Sequence, residues 1–221
     1  MNKIKNVFFG LSLFYLTLYI PLAFMTYFPV WYTFNCHLHP NFNIIGLEKA
    51  NQYIHELTGF FMHKDNLTSG WTYKEKLHLA EVRNLLDIMA LIAFFCLILF
   101  IVTFNRKKLP GIALFNLIII FSLLILLPFF NFFWVKIFHP LLFKNNFWRN
   151  YPLDRSFYIM PGVFFKHSMI FLISSASIIN AIIWSVFREK VRIKKGSGEK
   201  SYCNRYKSYC NGGKSCCNRY K

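Results

Sequence analysis

The stretch "EKLHLAEVRNLLDIMALIAFFCLILFIVTF", residues 75–104, decides the fold. Residues 88–104 form an uninterrupted run without charges, and a helix needs about 20 mostly apolar residues to cross roughly 30 Å of hydrocarbon. The preceding residues 75–87 carry three acids, two bases and a histidine. The stretch therefore predicts a transmembrane helix over 85–104 that enters the membrane from an ionisable segment.

The composition extends this prediction to the whole chain. The 221 residues are 55% hydrophobic and 20% aromatic but only 16% charged, which is typical of membrane proteins rather than soluble domains. Three further apolar runs of sufficient length lie at 7–29, 111–134 and 163–187. We predict an all-α membrane protein with four transmembrane helices and a small outer-face cap, forming one membrane domain over 1–195.

Basic residues predict the orientation of the helices, because Lys and Arg concentrate beside cytoplasmic helix ends. Lys3 and Lys5 precede the first run, "NRKK" at 105–108 joins the second to the third, and "REKVRIKK" at 188–195 follows the fourth. Both chain ends are therefore predicted to be cytoplasmic. This topology accounts for the net charge of +17 without a nucleic-acid partner. The two segments predicted to face outward are 30–84 and 135–162.

The C-terminal residues repeat with a period of seven, as "SYCNRYK", "SYCNGGK" and "SCCNRYK" over 201–221. A repeat without aliphatic side chains cannot bury a core. We predict that 196–221 forms a disordered cytoplasmic tail in which the cysteines are reduced.

The first outer segment contains two helix signals. "IIGLEKANQYIHELTGFF" at 44–61 has apolar residues at helical spacing, which predicts a short amphipathic helix packed in the cap or lying on the membrane. Thr72 and Glu75 have the spacing of a capping box. The helix that carries the charged stretch is therefore predicted to begin at Thr72.

The candidate functional residues are ionisable groups on the outer face. On a helix advancing about 100° per residue, Glu75, His78 and Glu81 share one face, while Arg83 and Asp87 share another. Carboxylates three residues before and after His78 could fix its tautomer and raise its basicity. Arg83 and Asp87 are four residues apart, so a simple helix ion pair is the alternative for them.

The second outer segment brings His139 and Asp154 to the same membrane boundary. Two neutral imidazoles with ordinary pKa values near ~6.5 are suited to proton transfer at an acyl centre. A zinc site is the competing interpretation, because His78, His139 and one glutamate of the charged stretch would leave one coordination position for water. The sequence contains no Gly-rich phosphate loop, G-x-S-x-G elbow or H-E-x-x-H pair.

Several stretches carry a family resemblance: "EKLHLAEVR" at 75–83, "FHPLLFKNNFW" at 138–148, Asp154, and "PGVFF" at 161–165. They resemble the bacterial integral membrane family that includes lipoprotein intramolecular transacylase (Lit), and the likeness covers roughly residues 1–190. The resemblance implies a plasma-membrane enzyme without a cofactor. It would move the sn-2 acyl chain of a diacylated lipoprotein to the amine of that lipoprotein's N-terminal cysteine. The expected partners are this lipoprotein, or another outer-leaflet lipid, and the membrane itself.

The resemblance places the family's motif histidines on His78 and His139. We expect His78 to act as the general base, tuned by Glu75 or Glu81. His139 is expected to assist the leaving alkoxide or to orient the substrate. Arg83 is the expected oxyanion stabiliser. The remaining candidates are assigned to substrate binding: Asp87, Trp148 and Asp154.

Two alternatives stay open. An outer-leaflet lipid hydrolase, with or without a metal ion, would use water in place of the amine and would release free fatty acid. A non-enzymatic integral membrane protein would use its aromatic outer surface to hold a partner, and it would need neither histidine.

Overall fold

The computed structural model describes residues 2–39, 44–68 and 70–209, with side chains from residue 3 to residue 188. Throughout these residues the regular structure is helical. In this part of the chain, four helical stretches are long and apolar enough to cross a membrane: Lys3–Tyr27, Tyr73–Thr103, Leu109–Leu142 and Gly162–Arg188. The prediction of an all-α protein with four transmembrane helices is confirmed.

The helices follow one another in a simple order. The first half of the chain contains α1 (Asn2–Tyr27), α2 (Pro29–His37), α3 (Leu47–Phe61) and α4 (Tyr73–Thr103). The third span begins as α5 (Leu109–Ser122) and continues through a 3₁₀ segment (Leu123–Phe129), α6 (Phe130–Phe132), a π-helical turn (Phe133–Phe138) and α7 (His139–Leu142). The chain then forms α8 (Arg155–Ile159) and the long α9 (Gly162–Tyr209).

The first span, α1, packs against each of the other spans. The third and fourth spans also pack closely on each other, around Ile120, Ile173 and Ala176. A buried hydrogen bond joins the first and fourth spans, because Asn180 Nδ2 donates to Thr17 Oγ1 at 3.0 Å. In contrast, α4 packs chiefly on α1. The second span therefore packs chiefly on the first, whereas the third span packs chiefly on the fourth.

The outer-face cap contains α2, α3, α8 and the first turns of α4 and α9, whose apolar side chains share one buried core. Ile54 and Leu57 of α3 are completely buried in it. The predicted amphipathic helix is thus α3, and it packs inside the cap. Ile44 and Leu47, at the start of the predicted stretch 44–61, are exposed, because they precede or begin the helix.

The third span departs from α-helical geometry before it reaches the cap. Pro128 lies inside the 3₁₀ segment, where the missing proline N–H and the ring interrupt the α-helical bonding pattern. After α6, the π-helical turn ends at Phe138, immediately before His139. Helical structure therefore reaches Leu142, whereas the hydropathy pattern predicted an end at residue 134.

The fourth span covers Gly162–Arg188, in agreement with the predicted 163–187. The backbone of α9 continues beyond the span to Tyr209. The disordered cytoplasmic tail over 196–221 stays a prediction. Residues 210–221, the rest of the predicted tail, lie outside the described residues.

Candidate active site

His78 lies in the second turn of α4, and a capping box fixes where that helix begins. Thr72 Oγ1 accepts a hydrogen bond from the Glu75 backbone N–H at 3.3 Å, and the Glu75 carboxylate accepts one from the Thr72 N–H at 3.0 Å. The predicted start of the helix is therefore confirmed. The His78 side chain is 16% exposed, and its ring centroid lies 4.7 Å from that of Phe143.

His139 follows the π-helical turn, and this turn sets its tautomer. The carbonyl oxygen of Trp134, five residues earlier, lies 2.8 Å from His139 Nδ1. A carbonyl oxygen only accepts hydrogen bonds, so Nδ1 carries the proton. In the neutral ring Nε2 is consequently unprotonated and can act as a base. The side chain is buried, which keeps this nitrogen away from bulk water.

The two imidazoles are neighbours across an aromatic gap. Their ring centroids are 6.4 Å apart, with 35° between the ring planes. This spacing is too wide for a direct hydrogen bond between the rings. The Phe143 ring lies 5.8 Å from that of His139, and the Trp148 ring lies 4.3 Å from it. The aromatic walls make the gap suitable for proton transfer with little competing water.

Glu81 is the carboxylate that approaches His78. Its Oε2 lies 3.7 Å from His78 Nδ1, beyond hydrogen-bond distance, and both atoms are buried without a hydrogen-bond partner. The other oxygen, Oε1, accepts a hydrogen bond from Asn145 Nδ2 at 2.8 Å. A small movement of either side chain would close the contact between the imidazole and the carboxylate, as often happens when substrate binds.

Glu75 is directed away from His78, although both residues share a helical face. Its Oε2 accepts hydrogen bonds from the Thr72 N–H and hydroxyl, at 3.0 and 2.9 Å. Its Oε1 accepts from the Ser156 N–H and hydroxyl, at 2.8 and 2.7 Å. The carboxylate is buried and fully occupied by these four donors. It joins the start of α4 to α8, and the expected contact with His78 is not made.

Arg83 and Asp87 also have other partners. The Arg83 guanidinium lies over the Phe60 ring of α3, with Cζ 4.1 Å from the ring centroid. Asp87 accepts a hydrogen bond from His63 Nε2 at 3.0 Å, in an exposed pair that links α4 to the loop after α3. The simple Arg83–Asp87 ion pair of the sequence analysis is therefore replaced by two separate contacts with the cap. Neither side chain is directed into the gap between the imidazoles.

Asp154 is a buried connector between the second outer segment and α4. Its Oδ2 accepts hydrogen bonds from Lys74 Nζ at 2.5 Å and from the Tyr151 N–H at 2.6 Å. Its Oδ1 lies 3.1 Å from Thr72 Oγ1, whose single hydrogen is directed to the nearer Glu75 carboxylate. Of the three residues assigned to substrate binding, only Trp148 lies against a candidate histidine. Asp154 instead supports the segment that carries it.

Four further residues shape the site without having been singled out from the sequence: Trp134, Phe143, Asn145 and Ser156. Two of them lie inside the quoted stretch "FHPLLFKNNFW", where polar asparagines interrupt an aromatic run. That interruption was the available signal for Asn145. The π-helical turn that uses the Trp134 carbonyl has no signature in the sequence.

A metal site and a cysteine nucleophile were also considered among the described residues. No group of three or more His, Cys, Asp or Glu side chains there could hold a metal ion. Cys36 of α2 is buried, and burial raises the pKa of its thiol to about 11, so it is not a ready nucleophile at neutral pH. A cavity of about 470 Å³ lies on the cap, lined by His55, Glu56 and Asp65 among others. It does not include His78 or His139.

Comparison with known proteins identifies close structural relatives. The family model described as "Lipoprotein intramolecular transacylase Lit" matches residues 5–165. The membrane integral lipoprotein intramolecular transacylase Lit from Bacillus cereus superposes with a TM-score of 0.76 at 15% identity, covering 88% of this chain and 98% of that chain.

Two variant structures of the same Bacillus protein, in which one histidine is replaced by alanine or by arginine, give a similar result. Their TM-scores are 0.70 and 0.71 at 16% identity, and they cover 88% and 89% of this chain and 96% and 95% of their own. No curated protein sequence matches the chain. The likeness to the solved structures establishes a shared fold.

Proposed function

Because this chain belongs to the family of the lipoprotein intramolecular transacylase Lit, we propose that it moves the sn-2 acyl chain of a diacylglyceryl lipoprotein to the same molecule's N-terminal cysteine amine. Intramolecular acyl transfer is the activity of the family. The diacylated form of the substrate, the acyl position and the residue roles are our proposal. The observation that carries it is the pair of His78 and His139, whose ring centroids lie 6.4 Å apart.

The proposed reaction needs two proton movements and no external reactant. The neutral amine attacks the ester carbonyl, so a C–N bond forms and the amine proton passes to an imidazole. The bond from the carbonyl carbon to the sn-2 oxygen then breaks, and this oxygen receives the proton. The products are an N-acylated cysteine and a free sn-2 hydroxyl group. Each proton removed from nitrogen therefore ends on oxygen.

We assign the attacking side to His78 and the leaving side to His139. Glu81 lies 3.7 Å from His78 Nδ1, so this carboxylate can stabilise the imidazolium that forms when Nε2 accepts the amine proton. His139 Nδ1 donates to the Trp134 carbonyl, so its Nε2 starts without a proton. It receives the amine proton from His78 through the oxygen of the tetrahedral intermediate, and then delivers this proton to the sn-2 oxygen. Glu75 has no part in this assignment, because its four hydrogen bonds go to Thr72 and Ser156.

Arg83 is likewise left out of the chemical step. Its guanidinium lies on Phe60, and five residues of helix turn its direction about 140° from that of His78. Asp87 and Asp154 are assigned to the structural contacts described above. Trp148 stays in the proposal, because its ring covers one side of His139 and can contact the glyceryl group or an acyl chain.

The membrane supplies most of the positioning that such a reaction needs. Exposed apolar side chains flank both histidines, including Leu77 on α4 and Leu141 and Leu142 on α7. The acyl chains of a lipoprotein would hold its ester at this depth. Because ester and amine belong to one molecule, the site mainly has to bring them together, and such proximity is worth as much as about 7–11 kcal/mol of the barrier.

The basic residues beside the spans support an orientation for this membrane protein. Lys3, Lys5 and the stretches 105–108 and 188–195 would lie on the cytoplasmic side of a bacterial plasma membrane. The histidine pair is then at the outer leaflet, where lipoproteins carry their lipid. The protein would be multi-pass with both chain ends in the cytoplasm.

The test is mass spectrometry of the N-terminal peptide of a lipoprotein that is co-expressed with this protein in a host that makes diacylated lipoproteins. Fragmentation locates each acyl group. We expect an N-acylated cysteine that carries a monoacyl glyceryl group with the wild-type protein. His78→Ala and His139→Ala should each return the product to diacylglyceryl cysteine with a free amine. His55→Ala, at the separate cap cavity, is the matched control and should behave as wild type.

The alternatives predict other products. Free fatty acid with an unacylated amine, lost on chelation, would indicate the metal-assisted hydrolase. An unchanged lipoprotein despite confirmed membrane expression would refute the transacylase assignment and favour a binding protein. Normal N-acylation by both histidine variants would keep the reaction but overturn the proposed site.

A further inference from the structure

Asn145 links the two halves of the candidate site. It lies in the loop after α7, six residues beyond His139, and its Nδ2 donates to Glu81 Oε1 of α4 at 2.8 Å. Glu81 faces His78 through its other oxygen. One hydrogen bond therefore connects the segment that carries His139 to the carboxylate beside His78. The two spans involved pack chiefly on different neighbours.

The direction of this hydrogen bond is fixed by the loop itself. Asn145 Oδ1 accepts from the Phe147 backbone N–H at 3.0 Å. An amide oxygen that accepts from a backbone N–H leaves its NH₂ group pointing the opposite way. Nδ2 therefore donates to Glu81, and Glu81 Oε1 accepts. The hydrogen bond from the Phe147 N–H to Asn145 Oδ1 holds the side-chain amide in this direction before any substrate is present.

The second carboxylate oxygen of Glu81 has no hydrogen-bond partner. Glu81 Oε2 and His78 Nδ1 are both buried, lie 3.7 Å apart, and have no hydrogen-bond partner. A buried polar atom without a partner costs about 1–3 kcal/mol, so these two atoms favour a closed contact with each other. With Oε1 held by Asn145, rotation of the carboxylate is restricted, and Oε2 stays directed at the imidazole.

We propose that Asn145 is a positioning residue for acyl transfer, which holds Glu81 so that its carboxylate orients His78 and ties the two histidine-bearing segments together. The inference rests on the proposed function for its catalytic consequence. It does not require Asn145 to touch substrate. Its action passes through Glu81, so removing Glu81 first should make Asn145 irrelevant to catalysis.

The test combines three variants with one matched control. Asn145→Ala should lower the rate of N-acylation by about 10- to 100-fold, the range found when a residue that orients a catalytic group is removed. In a Glu81→Ala background the same change should add nothing further, because the two residues act in series. Asn146→Ala, at the exposed neighbouring asparagine, should leave the rate at the wild-type value.

Asn145→Asp adds a readout that a purely structural role would not give. Two carboxylates would then face each other and repel, but one shared proton would restore an O–H···O contact. The rate of this variant, divided by the wild-type rate at the same pH, should therefore rise as pH falls from about 8 to 6. A ratio that stays constant with pH, or equal losses from Asn145→Ala with and without Glu81, would overturn the proposal.

Nitrogen NMR of ¹⁵N-histidine-labelled protein separates this inference from the proposed function. The His78 signals are assigned with the His78→Ala variant. Asn145→Ala should change the balance between the Nδ1–H and Nε2–H forms of His78, whereas Asn146→Ala should not. This result would support the positioning role even if the wild-type protein transferred no acyl group. Unchanged His78 signals in Asn145→Ala would refute it even if the wild-type protein were fully active.

Discussion

Replacing Glu75 by glutamine tests whether this buried carboxylate is structural or catalytic. Four donors bind its two oxygens, and each oxygen receives one backbone N–H and one hydroxyl. Glutamine fits the same space but offers one acceptor oxygen and one NH₂ group. The glutamine amide can be placed in two ways. In one its NH₂ group faces the Thr72 backbone N–H, and in the other it faces the Ser156 backbone N–H. One buried N–H is then left without an acceptor.

The size of the effect follows from these contacts. A buried N–H without an acceptor costs about 1–3 kcal/mol, and two hydrogen bonds that change from charged to neutral lose about 1 kcal/mol together or somewhat more. We expect Glu75→Gln to lower the free energy of unfolding by about 3 kcal/mol. For a chain of this size that corresponds to a melting temperature lowered by roughly 6–12 °C.

The assay is thermal unfolding of the purified protein in detergent, together with the rate of N-acylation per folded molecule at a temperature well below the transition. Glu48→Gln, at an exposed position in the first turn of α3, is the control and should shift stability by less than about 0.5 kcal/mol. The folded Glu75→Gln protein should keep its rate within a few-fold of wild type. Unchanged stability with abolished transfer would show that Glu75 tunes His78 after all.

Other parts of the molecule give simpler predictions. Asn180→Ala removes the buried hydrogen bond to Thr17 and should destabilise the folded protein by about 0.6–1.7 kcal/mol, the range for polar contacts between transmembrane helices, measured by unfolding in detergent. Because burial raises the pKa of the Cys36 thiol to about 11, its peptide should stay unalkylated by maleimide at pH 7.5 and should react rapidly on denaturation. A rapid native reaction would contradict the burial. Deleting residues 197–221 should leave N-acylation unchanged, because the family match and the candidate site lie before this segment. A loss of N-acylation with normal membrane expression would show that the tail contributes.

The parts of the fold that depend on local sequence were predictable. Long apolar runs mark all four spans, because the hydrocarbon thickness dictates their length. The capping box of Thr72 and Glu75 was also predictable, because it depends only on two residues three positions apart. The contact between His78 and His139 could be expected because the second outer segment is too short to fold away from the first.

Sequence reasoning falls short where a contact joins residues that are distant in sequence. Glu75 shares a helical face with His78, but Ser156, which is 81 residues away, supplies two of its hydrogen bonds. Helical spacing cannot show which of two carboxylates is already occupied. Nor can it show that the Arg83 guanidinium lies over Phe60 of another helix, or that Asn145 donates a hydrogen bond to Glu81.

The backbone around His139 was also beyond sequence reasoning. A π-helical turn brings the Trp134 carbonyl to the imidazole, and aromatic residues on both sides give no periodic signal for it. The tautomer of His139, which decides whether Nε2 can accept a proton, therefore becomes visible only from the structure.

The central claim, that acyl transfer occurs within one lipoprotein molecule at the two-histidine site, is tested most directly by a crossover experiment. Two diacylated lipoproteins with different N-terminal peptides, one carrying deuterated acyl chains, are mixed in vesicles that contain the purified protein. We predict that every N-acylated cysteine keeps the isotope label of its own glyceryl group, and that His78→Ala and His139→Ala form no such product. Deuterated acyl groups on the unlabelled peptide, or undiminished transfer by both variants, would contradict the account.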